Sequence, residues 1–184
     1  STTSFARRVA ASSRGGYYPP LPASDTAGWN RLKKVVPYLV PNKDPIGAMI
    51  PKSGFQGVAL PLPFLMALDK ADDGFVYNMT KAIFTLYPEF KDAAPGAGGY
   101  ALDRQIFNFV VPYHTGAIRY FKEAGVWTAA HDRHNDRLIE RQGVLAAAWK
   151  EAKAADGKGD AFRKKWMQVR KAALLKAGFD PIFD

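Results

Sequence analysis

Apolar residues recur every three or four positions along several stretches of the chain, which is the period of an amphipathic α-helix. Residues that cap or end helices, namely Asp, Thr, Pro and Gly, flank most of these stretches. The pattern therefore indicates a chain rich in helices. The helices it predicts cover residues 5–11, from Asp25 or Thr26 to Pro37, from Asp72 or Asp73 to Pro88, 117–124, 132–155 and 160–177.

Strand patterns are fewer and shorter. Residues 17–21 predict one strand, and the apolar run 57–68 predicts another. Because Pro61 and Pro63 lack backbone donors on the same side of that run, it is expected to be an edge or crossover strand. Residues 41–57 contain Pro and Gly without a sustained period and are predicted to form a loop. Few strands among many helices indicate an α/β fold with an incomplete sheet.

Composition and charge narrow the class of protein. The chain has 184 residues, is 47% hydrophobic and contains no Cys, which excludes disordered and disulfide-based classes. No apolar run reaches the roughly 20 residues of a membrane span, and the first residues lack the pattern of a signal peptide. The formal charge of +9 lies at the ends, with +5 in residues 1–40 and +4 in residues 150–184. The electrostatic field of these positive charges attracts anionic partners, but it does not distinguish nucleic acid, acidic membranes and small anions.

The histidines are the first candidates for a metal site or a catalytic base. His131 and His134 are three residues apart at a helix start, yet no third strong ligand has a suitable spacing. We interpret them as a solvated helix end and predict no metal. His114 follows Tyr113 just before a helix, where it could cap the backbone or point into a cleft, and the structural role is favoured.

The sequence has no nucleophile elbow, phosphate-binding loop, dinucleotide fingerprint or zinc-protease helix, so neither an enzyme nor a cofactor is predicted. The basic run 163–171 contains Trp166, which could stack on a base. Because Trp166 lies on the apolar stripe of its helix, we expect it to pack in the core and predict no nucleic-acid partner.

The N-terminal sequence Ser-Thr-Thr-Ser offers a different kind of site. Hydroxyl groups and free backbone N–H groups at a helix start can bind an anion. Ser and Thr are also the usual helix caps, so the sequence supports a ligand role and a purely structural role equally.

Two segments carry a family resemblance. Residues 76–84 read VYNMTKAIF, and residues 111–125 read VPYHTGAIRYFKEAG. Both resemble motifs of the solute-binding proteins of TRAP transporters, TAXI family, in the same order and spacing. The resemblance extends back through residues 57–73 to the first residues and forward through residues 135–142 to Trp149.

The resemblance implies a partial type 2 periplasmic-binding-protein-like fold with an extended helical C-terminus. Such proteins are periplasmic, are not enzymes, and deliver small organic anions, such as glutamate or 2-oxoacids, to membrane subunits. It implies ligand contacts at Thr2, Thr3 and Ser4. Tyr113 and His114 match the family's motif, but they are not predicted as ligand contacts, because that segment could serve only to fix the C-terminal helices. The chain resembles the C-terminal half of such a receptor, so the N-terminal part of the receptor is an expected partner.

On this reading, residues 1–57 belong to the second lobe and residues 58–131 return to the first lobe. Residues 132–184 form a helical extension. A receptor completed by a companion segment should expose a large apolar face where that segment docks. The alternative is an accessory or structural subunit that has the receptor fold, binds no ligand and attaches to a larger complex through its basic ends.

Overall fold

The structure is a computed structural model that describes residues 4–44, 47–60, 64–94, 96–154 and 158–182. It is rich in helix and contains a small two-stranded sheet. The chain forms two compact units. One comprises Ser1–Leu65 with Glu89–Tyr100, and the other comprises Met66–Pro88 with Ala101–Asp184.

The first unit begins with two helices, as the periodicity predicts. Helix α1 is Ser4–Ala10 and helix α2 is Thr26–Val35. The Asp25 carboxylate caps α2 by accepting from Gly28 N at 2.8 Å. Trp29, a residue of α2, is buried, and its indole N–H donates to the Pro22 carbonyl oxygen at 2.9 Å. This bond satisfies the polar atom of a large core side chain.

The sheet consists of β1, Val40–Asp44, and β2, Phe55–Ala59, paired antiparallel with Asn42 opposite Gly57. The loop predicted for residues 41–57 is therefore wrong at both ends. Pairing with a second strand gives these short segments their conformation, and neither shows a period of its own. Gly54 has φ of 82°, a left-handed conformation that suits glycine, directly before β2.

The other strand predictions need correction as well. Residues 17–21 form no strand, because Pro19 and Pro20 lack the N–H groups that a ladder requires. Leu21 N does donate to Gln56 O at 2.9 Å, so this segment approaches β2 without extending the sheet. Of the run 57–68, residues 57–59 belong to β2, residues 61–63 lie outside the described part, and residues 64–68 are irregular.

The second unit is built from helix pairs. Helix α3, Asp73–Thr85, packs against α5, Thr115–Glu123. The Asp72 carboxylate caps α3 by accepting from Phe75 N at 2.7 Å. Helix α6 is Ala129–Ala154 and packs against α7, Gly159–Lys176. Between α3 and α5 along the chain lie the short helix α4, Tyr87–Phe90, and 3₁₀ turns at Ala97–Tyr100 and Leu102–Arg104. Of these, Glu89–Tyr100 belongs to the first unit.

An aromatic cluster joins the start of α6 to α5. Phe107 packs edge-to-face on Phe121 and Trp127, with ring centroids 4.9 and 5.4 Å apart, and Tyr113 packs on Trp127 at 5.3 Å. Such pairs contribute about 0.5–1.5 kcal/mol each beyond their buried area. This cluster accounts for the aromatic segment 103–111, whose residues have no clear helix or strand period.

The α6–α7 pair has a core of small and aromatic residues. Ala148, Ala152 and Val169 are buried, and Phe162 and Trp166 pack against them. Trp166 is therefore a packing residue, as its position on the apolar stripe predicts. Trp149 packs edge-to-face on Phe162 and Trp166 at 5.2 and 4.9 Å.

Two arginines hold the segment after α7. The Arg137 guanidinium, on α6, donates to Gly178 O at 2.8 Å and lies 3.7 Å from the centroid of the Phe179 ring. Arg170, which is buried on α7, donates to the carbonyl oxygens of Pro181 and Ile182. Since early α6 meets the end of α7 while Trp149 meets its start, the two helices run antiparallel.

Helix-rich packing with a small sheet is compatible with a partial α/β fold. Among the described residues, no helix combines the length and the apolar character that a bilayer crossing demands. The division at residues 57 and 131 stays a prediction.

Candidate ligand-binding site

The ligand contacts implied at the N-terminus fall at the edge of the described chain. Thr2 and Thr3 lie outside the described residues. Ser4 is the first residue of α1, and it is exposed. The first turn of α1 carries no acidic residue, whereas Arg7 and Arg8 occupy its last turn. An anion near the helix start would therefore meet no carboxylate from that turn, but the ligand role of these three residues stays a prediction.

The two motif segments of the family resemblance form the α3–α5 contact. Gly116, in the first turn of α5, is buried against the backbone of α3. A Cβ atom at Gly116 would lie 2.9 Å from Tyr77 N, 3.0 Å from Val76 Cβ and closer still to the Asp73 carbonyl oxygen. Only glycine allows the two helices to approach this closely.

His114 caps α5 rather than lining a cleft. Its Nδ1 accepts from Gly116 N at 3.1 Å, and its side chain is mostly buried. The same Nδ1 lies 3.6 Å from a carboxylate oxygen of Asp73, which also accepts a hydrogen bond from the Thr115 hydroxyl. His114 and Thr115 thus tie the start of α5 to the start of α3, which confirms the structural role favoured from the sequence.

A polar network continues this contact along the surface. The Tyr77 hydroxyl donates to Glu123, and Lys81 Nζ lies 2.8 Å from a Glu123 carboxylate oxygen and 3.0 Å from the Tyr77 hydroxyl. The guanidinium of Arg119 stacks 4.0 Å from the centroid of the Tyr77 ring. The Tyr77 hydroxyl, Lys81 and Glu123 pair with one another, so the network is a clamp between the two helices, and Arg119 adds a further positive charge beside the Tyr77 ring.

The charges in this network shift one another's protonation. The hydrogen bond from Lys81, and then that from Tyr77, holds the pKa of Glu123 below its ordinary value. The bond to Glu123 in turn raises the pKa of Lys81. For Tyr120, whose ring stacks on Phe84 with centroids 5.6 Å apart, partial burial and then the Glu123 charge raise the pKa.

Tyr113 and Asn135 show a second connection, between the motif and α6. The buried Asn135 carboxamide oxygen accepts from Tyr113 N at 2.7 Å. The Tyr113 hydroxyl donates to Ile106 O at 3.1 Å, and burial raises the pKa of Tyr113 to about 12. Tyr113 is therefore a neutral core residue at physiological pH, in agreement with a role in fixing the C-terminal helices.

The His131 and His134 pair does not converge on one point. His131 Nδ1 accepts from Thr128 N at 3.1 Å at the start of α6, while His134 Nε2 lies 2.6 Å from Phe109 O. Within the described ranges, no group of three or more His, Asp or Glu side chains is arranged to hold a metal ion. The nearby Asp132 is held by the Trp127 indole at 2.8 Å and Lys122 at 3.0 Å, which lower its pKa.

Sequence reasoning missed the α3–α5 clamp, although one signal for it was present. Tyr77 and Lys81 are four residues apart, and so are Arg119 and Glu123. Each pair therefore lies on one face of its helix. The spacing says which residues neighbour one another along a helix, but not that the two faces meet.

Two surface concavities stand out in the described structure. One, of about 460 Å³, lies beside α2 and is lined by Pro20, Pro22, Trp29 and Arg31 among others. The second, of about 750 Å³, runs between α6 and α7. Both volumes are within the usual range for small-molecule sites, but each is an open groove with few convergent polar groups.

Comparison with known proteins gives a partial match. The family model of the NMT1-like family matches residues 28–125, which is more than half of the chain. The matched range includes most of α2, the sheet, α3 and α5, and so contains both motif segments. No curated protein and no solved structure matches the chain.

Proposed function

Because the chain belongs to the NMT1-like family, a periplasmic-binding-protein-like family, we propose that it is the solute-binding receptor of a TRAP-type transporter of the TAXI class. The family by itself implies a solute-binding receptor in general. The narrower proposal is supported by one observation. The two TAXI-like motifs both lie within the matched range, and their residues form a single connected contact between α3 and α5.

We propose that the ligand is a small organic anion, such as a carboxylate, an amino acid or a 2-oxoacid. Residues 1–40 carry a formal charge of +5, which raises the local concentration of anions. Thr2, Thr3 and Ser4 would supply hydroxyl groups at the start of a helix whose first turn carries no acidic residue. On this proposal the protein works in the periplasm, needs no cofactor and catalyses no reaction.

A companion segment is also part of the proposal. Phe75 and Met79 on α3, and Leu86 directly after it, are exposed at 62%, 48% and 47% of their surface. Their spacing of four and seven residues places them on one stripe, away from the side of α3 that carries Val76 and contacts Gly116. A stripe of large apolar side chains in water is typical of a docking surface. We propose that the N-terminal part of a receptor covers it.

Ligand titration by calorimetry tests the anion proposal. The full chain is titrated with L-glutamate, 2-oxoglutarate and pyruvate, first alone and then together with a co-purified companion polypeptide. We expect at least one of these anions to bind, and the triple variant Thr2→Ala, Thr3→Ala, Ser4→Ala to weaken binding about tenfold or more, since each lost hydrogen bond to a charged group costs about 1.5–3 kcal/mol.

The matched control is Ser13→Ala, which removes an exposed hydroxyl beyond the other end of α1 and should leave binding unchanged. Equal loss in the control and the triple variant would contradict the assigned site. Binding of neutral or cationic solutes in place of anions would contradict the ligand class.

The alternative is an accessory subunit with a receptor-derived fold. It is favoured by the concentration of positive charge at the two ends of the chain, where a larger complex could dock. Native mass spectrometry separates the two functions. A small anion that leaves with the protein favours the receptor, whereas a ligand-free chain in a stable larger complex favours the accessory subunit.

A further inference from the structure

The groove between α6 and α7 has the dimensions and lining of a helix-packing surface. Its floor consists of small apolar residues from both helices, which permit close approach of another helix. The groove holds about 750 Å³ and opens to solvent along one side of the pair. Its apolar lining residues are Val144, Ala147, Ala148, Val169, Ala172, Ala173 and Ala177.

The rims of the groove carry opposite charges. The α6 rim includes the exposed Glu151, and the α7 rim includes the exposed Lys165 and Lys176. Lys165 and Lys176 are eleven residues apart, about three helical turns, so both lie on one side of α7. Glu140, eleven residues before Glu151, does not line the groove, and its charge is paired with Arg137, so Glu151 is the acidic group of this rim.

We propose that a second copy of this chain occupies the groove and forms a four-helix dimer through α6 and α7. A two-fold axis parallel to the helices would lay α6 of one copy against α7 of the other. Because α6 and α7 run antiparallel, this arrangement sets Glu151 against Lys165 of the second copy. It also makes every adjacent pair of helices antiparallel, as in many four-helix bundles.

The charges select this arrangement over the other two-fold packing. With the two-fold axis perpendicular to the helices, Lys165 would meet Lys176 of the second copy, and Glu151 would face α6 of that copy, away from both lysines. Like charges on opposing helices destabilise an interface. The acidic and basic rims are therefore complementary to a second copy in one orientation only.

The size of the surface indicates a weak dimer. The 18 residues of α7 rise about 27 Å, and two helices about 9 Å apart cover roughly 20 Å across. Such a face buries on the order of 500 Å² from each copy, near the lower limit of a specific interface. We therefore expect dissociation in the micromolar range.

Sedimentation equilibrium of the full chain from about 1 to 200 μM tests the proposal. The wild-type chain should show a reversible monomer–dimer equilibrium. Glu151→Lys and Lys165→Glu should each raise the dissociation constant about tenfold, since each reverses two symmetry-related charge pairs. Lys164→Glu, an exposed neighbour that does not line the groove, is the matched control and should have little effect.

Mixing the two reversed-charge variants gives the sharpest result. In an equimolar mixture of Glu151→Lys and Lys165→Glu, the heterodimer has both charge pairs complementary again. It should form at nearly the wild-type dissociation constant, while each variant alone stays mostly monomeric. A merely misfolded variant would not be rescued in this way, and circular dichroism of each variant checks that the helices are retained.

Three results would overturn the dimer. They are a wild-type monomer throughout this concentration range, a dimer insensitive to both charge reversals, and no recovery in the mixture. Occupation of the groove by another polypeptide would give the first result. Because the readout is self-association without any solute, its failure is distinguishable from failure of the receptor function.

Discussion

Gly116 offers the most direct test of the α3–α5 contact, through substitution by alanine. The added Cβ would lie 2.9 Å from Tyr77 N and 3.0 Å from Val76 Cβ, whereas ordinary contacts are 3.4–4 Å. Helix α5 would therefore have to withdraw by about 0.5 Å or more. The atoms it meets are backbone or near-backbone atoms of α3, which cannot turn aside as a flexible side chain can.

Overpacking of this kind costs about 1–3 kcal/mol. Replacing glycine by alanine in a helix recovers up to about 0.5–1 kcal/mol. We therefore expect Gly116→Ala to lower the free energy of unfolding by about 1–2 kcal/mol. For a chain of this length the melting temperature should fall by roughly 2–8 °C.

The assay is urea unfolding followed by circular dichroism, together with a thermal melt. Gly143→Ala is the matched control, since Gly143 lies within α6 and a Cβ there would meet nothing within 4 Å. The control should stabilise the protein by up to about 1 kcal/mol. If Gly116→Ala proved as stable as Gly143→Ala, the close approach of α5 to α3 would be refuted.

Four further predictions concern the second unit. Asn135→Ala should destabilise the protein by about 1–3 kcal/mol, because Tyr113 N would lose its partner at a buried position, and urea midpoints measure this. Arg137→Met should speed amide exchange in residues 178–182, through loss of the bond to Gly178 O and the stacking on Phe179. Unchanged exchange there would contradict this clamp. The pKa of Glu123 is lower in the folded state than in the unfolded state, so its contribution to stability is present above its unfolded pKa and is lost as pH falls through its folded pKa. In Glu123→Gln, the free energy of unfolding should therefore fall less steeply at acidic pH. The raised pKa of Tyr113, about 12, acts at the other extreme. Stability should fall as pH rises from about 10 to 12, and an absorbance titration of Tyr113→Phe should lack the latest tyrosinate transition.

The residues of the two motif segments have structural roles that their residue types alone do not reveal. The segments that carry the TAXI resemblance contain His114, Gly116 and Glu123, residue types that also occur in binding sites. In the structure they cap α5, admit close helix packing and complete a surface ion pair. These motif residues therefore hold α5 against α3, and the ligand contacts implied at Thr2, Thr3 and Ser4 stay a prediction.

The main helices follow from the sequence alone, and so does the relationship to a periplasmic-binding-protein-like family. Helices α2, α3, α5, α6 and α7 carry apolar periodicity with capping or terminating residues nearby, and these are local signals that survive without tertiary context. The family motifs are likewise strings of neighbouring residues.

The features that depend on pairing between distant segments are visible only in the tertiary structure. Strands β1 and β2 exist because residues 40–44 and 55–59 bond to each other, although neither has a strand period. The contacts of Asn135 with Tyr113 and of Glu123 with Tyr77 join residues 22 and 46 positions apart. The groove also depends on two helices lying side by side. Local patterns describe one face of one element, and they carry no information on which other face will cover it.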